Sequence, residues 1–434
     1  MKRLLLTTLL LLLPLRGLGY PVEQKTLSNG IRILLAPDTH SQFVTLVAYI
    51  RQAPPKSVQE SALSELVARS LFFGSQNRSF DAVAQSVRQV GGSLETYYSP
   101  EGVAISCFTI PSQWREAIYL LSEALKNADF APDALNRARQ IVADNQKKNA
   151  YFTSSALRST LIQRLQSPYE YDPARYNRVT SEQAQEYFKR RYVNERIVLA
   201  ICGKFDSKQA LRSLDNNLFE RETVPLKASP APAPIERESS PLSRQGKNSQ
   251  AHALLAVKPP AVDHADYPAF TVLNALLGIG HSSRLLHHFR EQQGIGYEMG
   301  TSLQAHLGEP LIAYLQWDTQ NSPTTRPPLA QIQAQLKTQV IEATKQPITE
   351  SELVRAKSVA LNHHLMAQES LQDRAFLLAW YEAMGVGYTF AERLPTLLKS
   401  VGLAELDRVA KTWLTNPLEA ILLPSLSPQN SPKN

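Results

Sequence analysis

A stiff break in the middle of the chain limits what it can fold into. Between Pro225 and Pro241 the sequence runs PLKASPAPAPIERESSP, with five prolines and almost no large apolar residue. Proline fixes φ and removes a backbone donor, so this stretch favours extended backbone and reads as a linker, 225–246. The 434 residues exceed what one core usually organises, whereas each side of the break has the size of one domain, about 200 residues. Two domains are expected, 20–224 and 247–424, followed by a disordered polar tail, 425–434, of sequence SLSPQNSPKN.

The first half opens with apolar runs at Val22 to Leu27 and Ile31 to Ala36 joined by Asn29-Gly30, the strongest short hairpin signal. Phe43 to Ile50 reads as a third strand. A helix should start at Ser57, whose hydroxyl and the Glu60 carboxylate three residues on can form a capping box. Leu63, Leu66, Val67 and Leu71 recur at helical spacing, and Gly74 suits the C-terminal cap. A second helix, Phe80 to Val90, ends in Gly91-Gly92, and strands follow at Leu94 to Tyr98 and Val103 to Ile110. Helices then dominate until the strand Ile197 to Ile201. The second half repeats this order: a strand at His252 to Val257, helices at Tyr267 to Leu277 and Ser283 to Gln292, a strand at Leu311 to Trp317, then long helices. Leu135-Asn-Arg-Ala-Arg139 matches Leu353-Val-Arg-Ala-Lys357 at the same place in each half. Grouped strands and grouped helices point to an α+β class, two homologous domains, each a largely antiparallel sheet with helices on one face.

The N-terminus is set apart. Lys2-Arg3 precede an apolar run from Leu4 to Leu15, and then Gly17-Leu18-Gly19 places small residues at alternate positions, the pattern of a secretory signal peptide over 1–19. The run is shorter than the roughly 20 residues that span a bilayer, so no stable membrane anchor is expected. The whole chain carries a formal charge of +7, and loss of Lys2, Arg3 and Arg16 with the leader brings it to +4. With no clustered basic stripe, nucleic acid is not an expected partner. Cys107 and Cys202 both lie in apolar runs, and their sequence context leaves open whether they pair.

Four segments carry a family resemblance: LSNGIRILLAPD at the start, SLFFGS after the first helix, QVGGSLET, and LLGIGHSSRLLHHFREQQGIGY in the second half. They resemble landmarks of the pitrilysin/insulinase-type (M16) zinc peptidases, the group that includes the mitochondrial processing peptidase. The resemblance covers essentially the whole chain after the leader. In that family an inverted motif, His-x-x-Glu-His, lies on the helix that ends in the Leu-Phe-x-Gly segment. Two histidines one turn apart bind Zn²⁺ and the Glu acts as general base on the metal-bound water. Counted back from Leu71-Phe72-Phe73-Gly74, those positions fall on Glu65, Ala68 and Arg69. Arginine has no lone pair for a metal and alanine cannot accept a proton, so the zinc site is degenerate and no metal is expected on this chain. The family's distal acidic ligand falls near Asp144-Asn145-Gln146.

The resemblance also implies a substrate-binding role for Arg290 and Tyr297, spaced as the family's Arg/Tyr pair that engages the substrate carbonyl and the developing oxyanion. Read alone, they are a helix-end charge and a strand-start aromatic. Gly278 and Gly280 resemble the glycine-containing loop before the corresponding helix, where a turn or a substrate contact is the alternative. His281, His287, His288, His363 and His364 read as surface or turn residues, because adjacent helical side chains diverge and cannot share a metal. An intact Arg/Tyr pair without zinc ligands implies a non-catalytic subunit of a secreted, periplasmic two-subunit peptidase. Its expected partners are a zinc-bearing homologous subunit, which would hold the Zn, and a peptide substrate. The alternative is an inactive scaffold or binding protein of the same fold.

Overall fold

The computed structural model describes residues 21–149, 153–166, 171–218, 241–247, 249–318 and 328–425. The expected leader, linker residues 225–240 and tail residues 426–434 lie outside them. In the first half, strands β1 (Glu23–Thr26), β2 (Arg32–Pro37), β3 (Val44–Arg51), β4 (Ser93–Ser99), β5 (Gly102–Thr109) and β6 (Ile197–Gly203) form one sheet in the order β1-β2-β6-β3-β5-β4. Its helices are α1 (Val58–Ser70), α2 (Phe80–Gln89), α3 (Trp114–Lys126), α4 (Pro132–Asn149), α5 (Ser154–Gln166), α6 (Pro173–Asn177), α7 (Ser181–Arg191) and α8 (Ser207–Leu218). In the second half, β7 (Leu242–Gln245), β8 (Gln250–Val257), β9 (Glu298–Leu303), β10 (Leu311–Asp318) and β11 (Leu418–Leu423) are ordered β7-β11-β8-β10-β9. The accompanying helices are α9 (Tyr267–Gly278), α10 (Arg284–Leu286), α11 (Leu329–Ile341), α12 (Glu350–Met366), α13 (Leu371–Met384), α14 (Phe390–Ser400) and α15 (Leu403–Trp413).

Without β1, the two orders are the same. The pairs β2/β6 and β7/β11 are parallel and the remaining neighbours antiparallel. The duplicated Leu-x-Arg-Ala-basic segments fall at equivalent places in α4 and α12.

Every residue of β6, and β3 up to Ile50, is buried, so these antiparallel strands do not alternate with solvent. One face of the first sheet, through Ile33, Leu46, Ile105 and Leu199, meets helices of its own half. The other face, through Leu34, Val47, Tyr49 and Val198, is covered by α13 from the second half. The exchange is reciprocal. α5 of the first half sets Leu157, Leu161 and Leu165 against Leu254, Ala256, Ile312, Leu418, Ala420 and Leu422 on the second sheet. The expectation of helices on one face therefore describes each half's own helices, and the opposite face is closed by a helix from the other half. Periodicity shows that a helix is apolar, not which sheet it will cover.

Three local details differ from the sequence reading. Ser57 caps α1 by accepting from the Glu60 amide at 3.1 Å, and the Glu60 carboxylate accepts from the Lys56 amide at 2.8 Å, one residue outside the expected box. α1 ends at Ser70 with a right-handed cap at Leu71, so Gly74, at φ +141°, shapes the following turn rather than the helix cap. Leu242–Gln245, read as the end of the linker, form the edge strand β7, because β11 offers an open parallel register beside it.

Cys107 and Cys202 are both buried and free. Cys107 faces the first half's own helices and Cys202 faces α13, on opposite sides of one sheet, which excludes a bond between them. Burial pushes both thiols up to about 12. Among the described residues, no helix is long and apolar enough to cross a membrane.

Candidate functional site

The helix α1 packs on α4, α6 and α7 and presents Ser64, Glu65 and Arg69 near β4. Arg69 and Glu65 are one turn apart; the guanidinium donates to Glu65 Oε1 through Nε at 2.9 Å, and a terminal nitrogen lies in ion-pair contact with the same oxygen at 2.8 Å. The other carboxylate oxygen accepts the Tyr176 hydroxyl at 2.8 Å. Tyr176 is fixed from behind, since Arg139 donates to its backbone carbonyl at 3.0 Å and to that of Val179 at 2.6 Å. Tyr171 packs against the Tyr176 ring at 5.0 Å between centroids. The Tyr98 and Tyr187 hydroxyls both meet Ser64. Burial first, and the Glu65 charge second, push the Tyr98 and Tyr176 hydroxyls well above the usual phenol range, so both stay protonated and able to donate.

Zinc does not fit these residues. The Arg69 guanidinium, which has no lone pair to offer, lies on the one carboxylate present, and Ala68 is fully buried with nothing to take a proton. Asp144, in the region expected to hold the distal ligand, is bonded to Gln140 at 2.9 Å and Lys147 at 3.3 Å along its own helix. Among the described residues, no three His, Cys, Asp or Glu side chains gather as a metal site requires.

Arg290 and Tyr297 meet each other. α10 runs on into a π-helical turn, His287–Gln292, and the following turn, with Gly294 and Gly296 at positive φ, returns the chain to β9. The Arg290 guanidinium lies 5.3 Å from the centre of the Tyr297 ring, which is 85% exposed. Glu65 and Arg69 direct their hydrogen bonds to each other and to Tyr176, and none to this pair. Gly278 permits a close approach of α9 to β9, because a Cβ there would lie 2.2 Å from the Thr301 amide nitrogen. Gly280 sits in open space at φ +75°.

The histidines divide. His287 bonds Glu291 at 2.5 Å and His288 bonds Gln293 at 2.8 Å, both local contacts. His364 corrects the surface reading: it is buried, with its ring nitrogen 2.8 Å from the Ala391 carbonyl. α14 covers this face of α12, which adjacency in sequence could not reveal.

A cavity of about 210 Å³ opens between the halves, beside the edge strand β4. Its walls include Tyr97 and Tyr98 of β4, Ile162 of α5, His306 and Leu307 of the loop before β10, and Phe376 of α13. Tyr97 and His306 each meet the Phe376 ring edge to face, at 5.9 Å and 5.5 Å. Sequence reading missed this cavity and Tyr176, because neither has a fixed spacing from the motif positions.

Residues 178–359 match the family model described as "Peptidase M16 inactive domain". An uncharacterized zinc protease of Rickettsia felis is 22% identical over 382 residues, covering 85% of this chain and 88% of that protein. Cytochrome b-c1 complex subunit 1 of Bos taurus, a mitochondrial protein, is 24% identical over 301 residues, covering 66% of this chain and 58% of that one. Among solved structures, a peptidase M16 inactive domain from Pseudomonas fluorescens shares the fold with a TM-score of 0.76 at 17% identity, over 94% of this chain and 98% of that one.

Proposed function

Because the chain belongs to the M16 peptidase family and carries its inactive domain, we propose that it is a non-catalytic, substrate-binding subunit of a two-subunit zinc peptidase. The observation that carries this reading is the filled metal position: Glu65 is held by Arg69 and Tyr176 where the family's motif requires metal ligands. The edge strand β4, which runs beside α1, offers backbone groups to an extended peptide. The zinc and its activated water come from a homologous subunit, and the pair works outside the cytoplasm, as the leader-like first 19 residues suggest.

A pull-down of the mature chain from its native extract, followed by zinc analysis and a peptide-cleavage assay, tests the proposal. A zinc-bearing homologue that cleaves only with this chain, and loses activity with Arg290→Ala or Tyr297→Phe, supports it. Peptidase activity and stoichiometric zinc in the chain alone would sink it. The second reading, a scaffold, is favoured by the similarity to a subunit of the cytochrome b-c1 complex. A metal-free complex indifferent to both substitutions decides for it.

A further inference from the structure

We propose that the first half binds one phosphate group where its sheet ends, between the start of α1 and the end of α7, on Gln52, Arg191 and Arg196. Two stretches of chain meet there. β3 and β6 pair with Ile50 opposite Ile197, so Gln52, two residues past Ile50, lies level with the 3₁₀ turn Asn194–Arg196 that opens β6. The Gln52 amide still donates to the Glu101 carbonyl at 2.8 Å, which continues the ladder and sets the side chain on the face of Ile50, toward the first half's own helices. α7 ends over that face at Arg191, whose guanidinium pairs with Glu60 in the first turn of α1 and lies 5.7 Å from the centre of the Tyr187 ring.

These groups are buried without being satisfied. Gln52 is 5% exposed and Arg191 8%. Both side-chain amide atoms of Gln52, Arg191 Nε, one terminal nitrogen of Arg196 and Glu195 Oε2 are buried, and none meets a hydrogen-bond partner among the described residues. A buried polar atom left unpaired is costly, and five of them belong to this one end of the sheet. Burial first, and the Arg191 charge second, lower the Arg196 pKa, which puts the two guanidiniums within electrostatic reach of each other.

The charge balance and the kinds of unpaired atom select the ligand. Arg51, Arg190, Arg191 and Arg196 stand near Glu60, Glu101 and Glu195, so the balance is positive. Glu60 is already bound by Arg191 and by the Lys56 amide at 2.8 Å. Three unpaired groups donate, Gln52 Nε2, Arg191 Nε and Arg196, and two accept, Gln52 Oε1 and Glu195 Oε2. Sulfate offers acceptors alone. Phosphate offers charged oxygens to the guanidiniums and, near neutral pH, keeps an O–H for the acceptors.

The test is calorimetric titration of the full mature chain, at neutral pH and constant ionic strength, with inorganic phosphate, sulfate and glycerol 3-phosphate. Phosphate should bind saturably at one site, and sulfate at least about tenfold more weakly, because it leaves buried acceptors unpaired. Glycerol 3-phosphate binding as tightly as phosphate supports a phosphomonoester as the occupant, and its failure to bind supports the free ion. Gln52→Leu, of similar volume, should weaken phosphate at least about tenfold and narrow its lead over sulfate. Arg196→Gln should abolish saturable binding, and circular dichroism checks that both variants fold. Three results overturn the proposal: no saturable phosphate binding to the unmodified chain, sulfate binding as tightly as phosphate, or phosphate binding untouched by Gln52→Leu. The comparison of the two anions on the unmodified chain decides the matter even where a variant fails to fold.

Discussion

Arg32 of β2 donates to Glu382 of α13 at 2.9 Å across 350 residues of sequence. The same nitrogen also donates to the Glu382 backbone carbonyl at 3.0 Å, Gln24 donates to the carboxylate at 3.2 Å, and the Tyr388 amide binds its second oxygen at 3.1 Å. Each oxygen of this enclosed carboxylate is thereby occupied. Glu382→Ala leaves Arg32 without its counter-ion at the contact between the halves, and should cost about 3 kcal/mol in urea unfolding. Arg32→Ala combined with it should cost clearly less than the two single changes added, the sign of direct coupling.

The exchanged helix α5 gives a prediction with a location. Leu161 is 1% exposed and packs on the second sheet although it belongs to the first half. Leu161→Ala removes that burial and leaves a cavity, at about 2–4 kcal/mol. Hydrogen exchange should show the loss of protection in β8 and β11 before the strands of the first sheet. Loss confined to β3 and β6 would contradict the exchange.

These two contacts mark where the sequence stopped being informative. The Asn29-Gly30 hairpin, the Ser57 cap and the paired order of elements are local, and local chemistry specifies them. The closeness of Glu65 and Arg69 is equally local, since four residues on one helix place them one turn apart. Tyr176 is 111 residues from Glu65 and no periodicity joins them. The unbroken apolar run of α13 from Ala375 to Tyr381 was the available signal for a helix enclosed between layers, and the structure buries each of these residues. It identifies a buried helix without saying which sheet lies above it. Of the strand β9 only the aromatic start at Tyr297 was legible, because Gly300 interrupts its apolar pattern so that it can lie close to Gly278.

His306 makes stability depend on pH. Burial against Phe376 and Trp380 pushes its pKa down from 6.5 to about 4, and the nearby Asp373 charge only partly opposes this. The folded chain therefore keeps the ring neutral while the unfolded chain takes up a proton below about pH 6.5. Stability from this group is whole above that pH and falls as pH drops toward 4, by up to about 3 kcal/mol. Burial shifts His252 and His364 in the same direction, so the test is a comparison: His306→Leu should flatten the decline of the thermal midpoint between pH 6.5 and 4. An unchanged pH profile would rule out His306 as its source.

The Glu65–Arg69 pair, at the position proposed for the family's metal ligands, predicts how the chain responds to zinc. Arg69 and Glu65 are 24% and 16% exposed at their side chains, so their ion pair is partly shielded from solvent. Arg69→Ala leaves the carboxylate with Tyr176 alone, at an expected cost of about 1–3 kcal/mol. Treatment with EDTA should leave the thermal midpoint of the unmodified chain unchanged, and added zinc should not raise it, because ligand linkage requires binding to the folded state. Glu65→His with Arg69→His places two imidazoles one turn apart on α1 and should introduce a zinc-dependent rise in the midpoint. Arg69→His alone should show none, since it leaves a single new ligand beside Glu65. A zinc-dependent rise in the unmodified chain would mean that side chains other than these hold a metal, and the non-catalytic reading would then have to be abandoned.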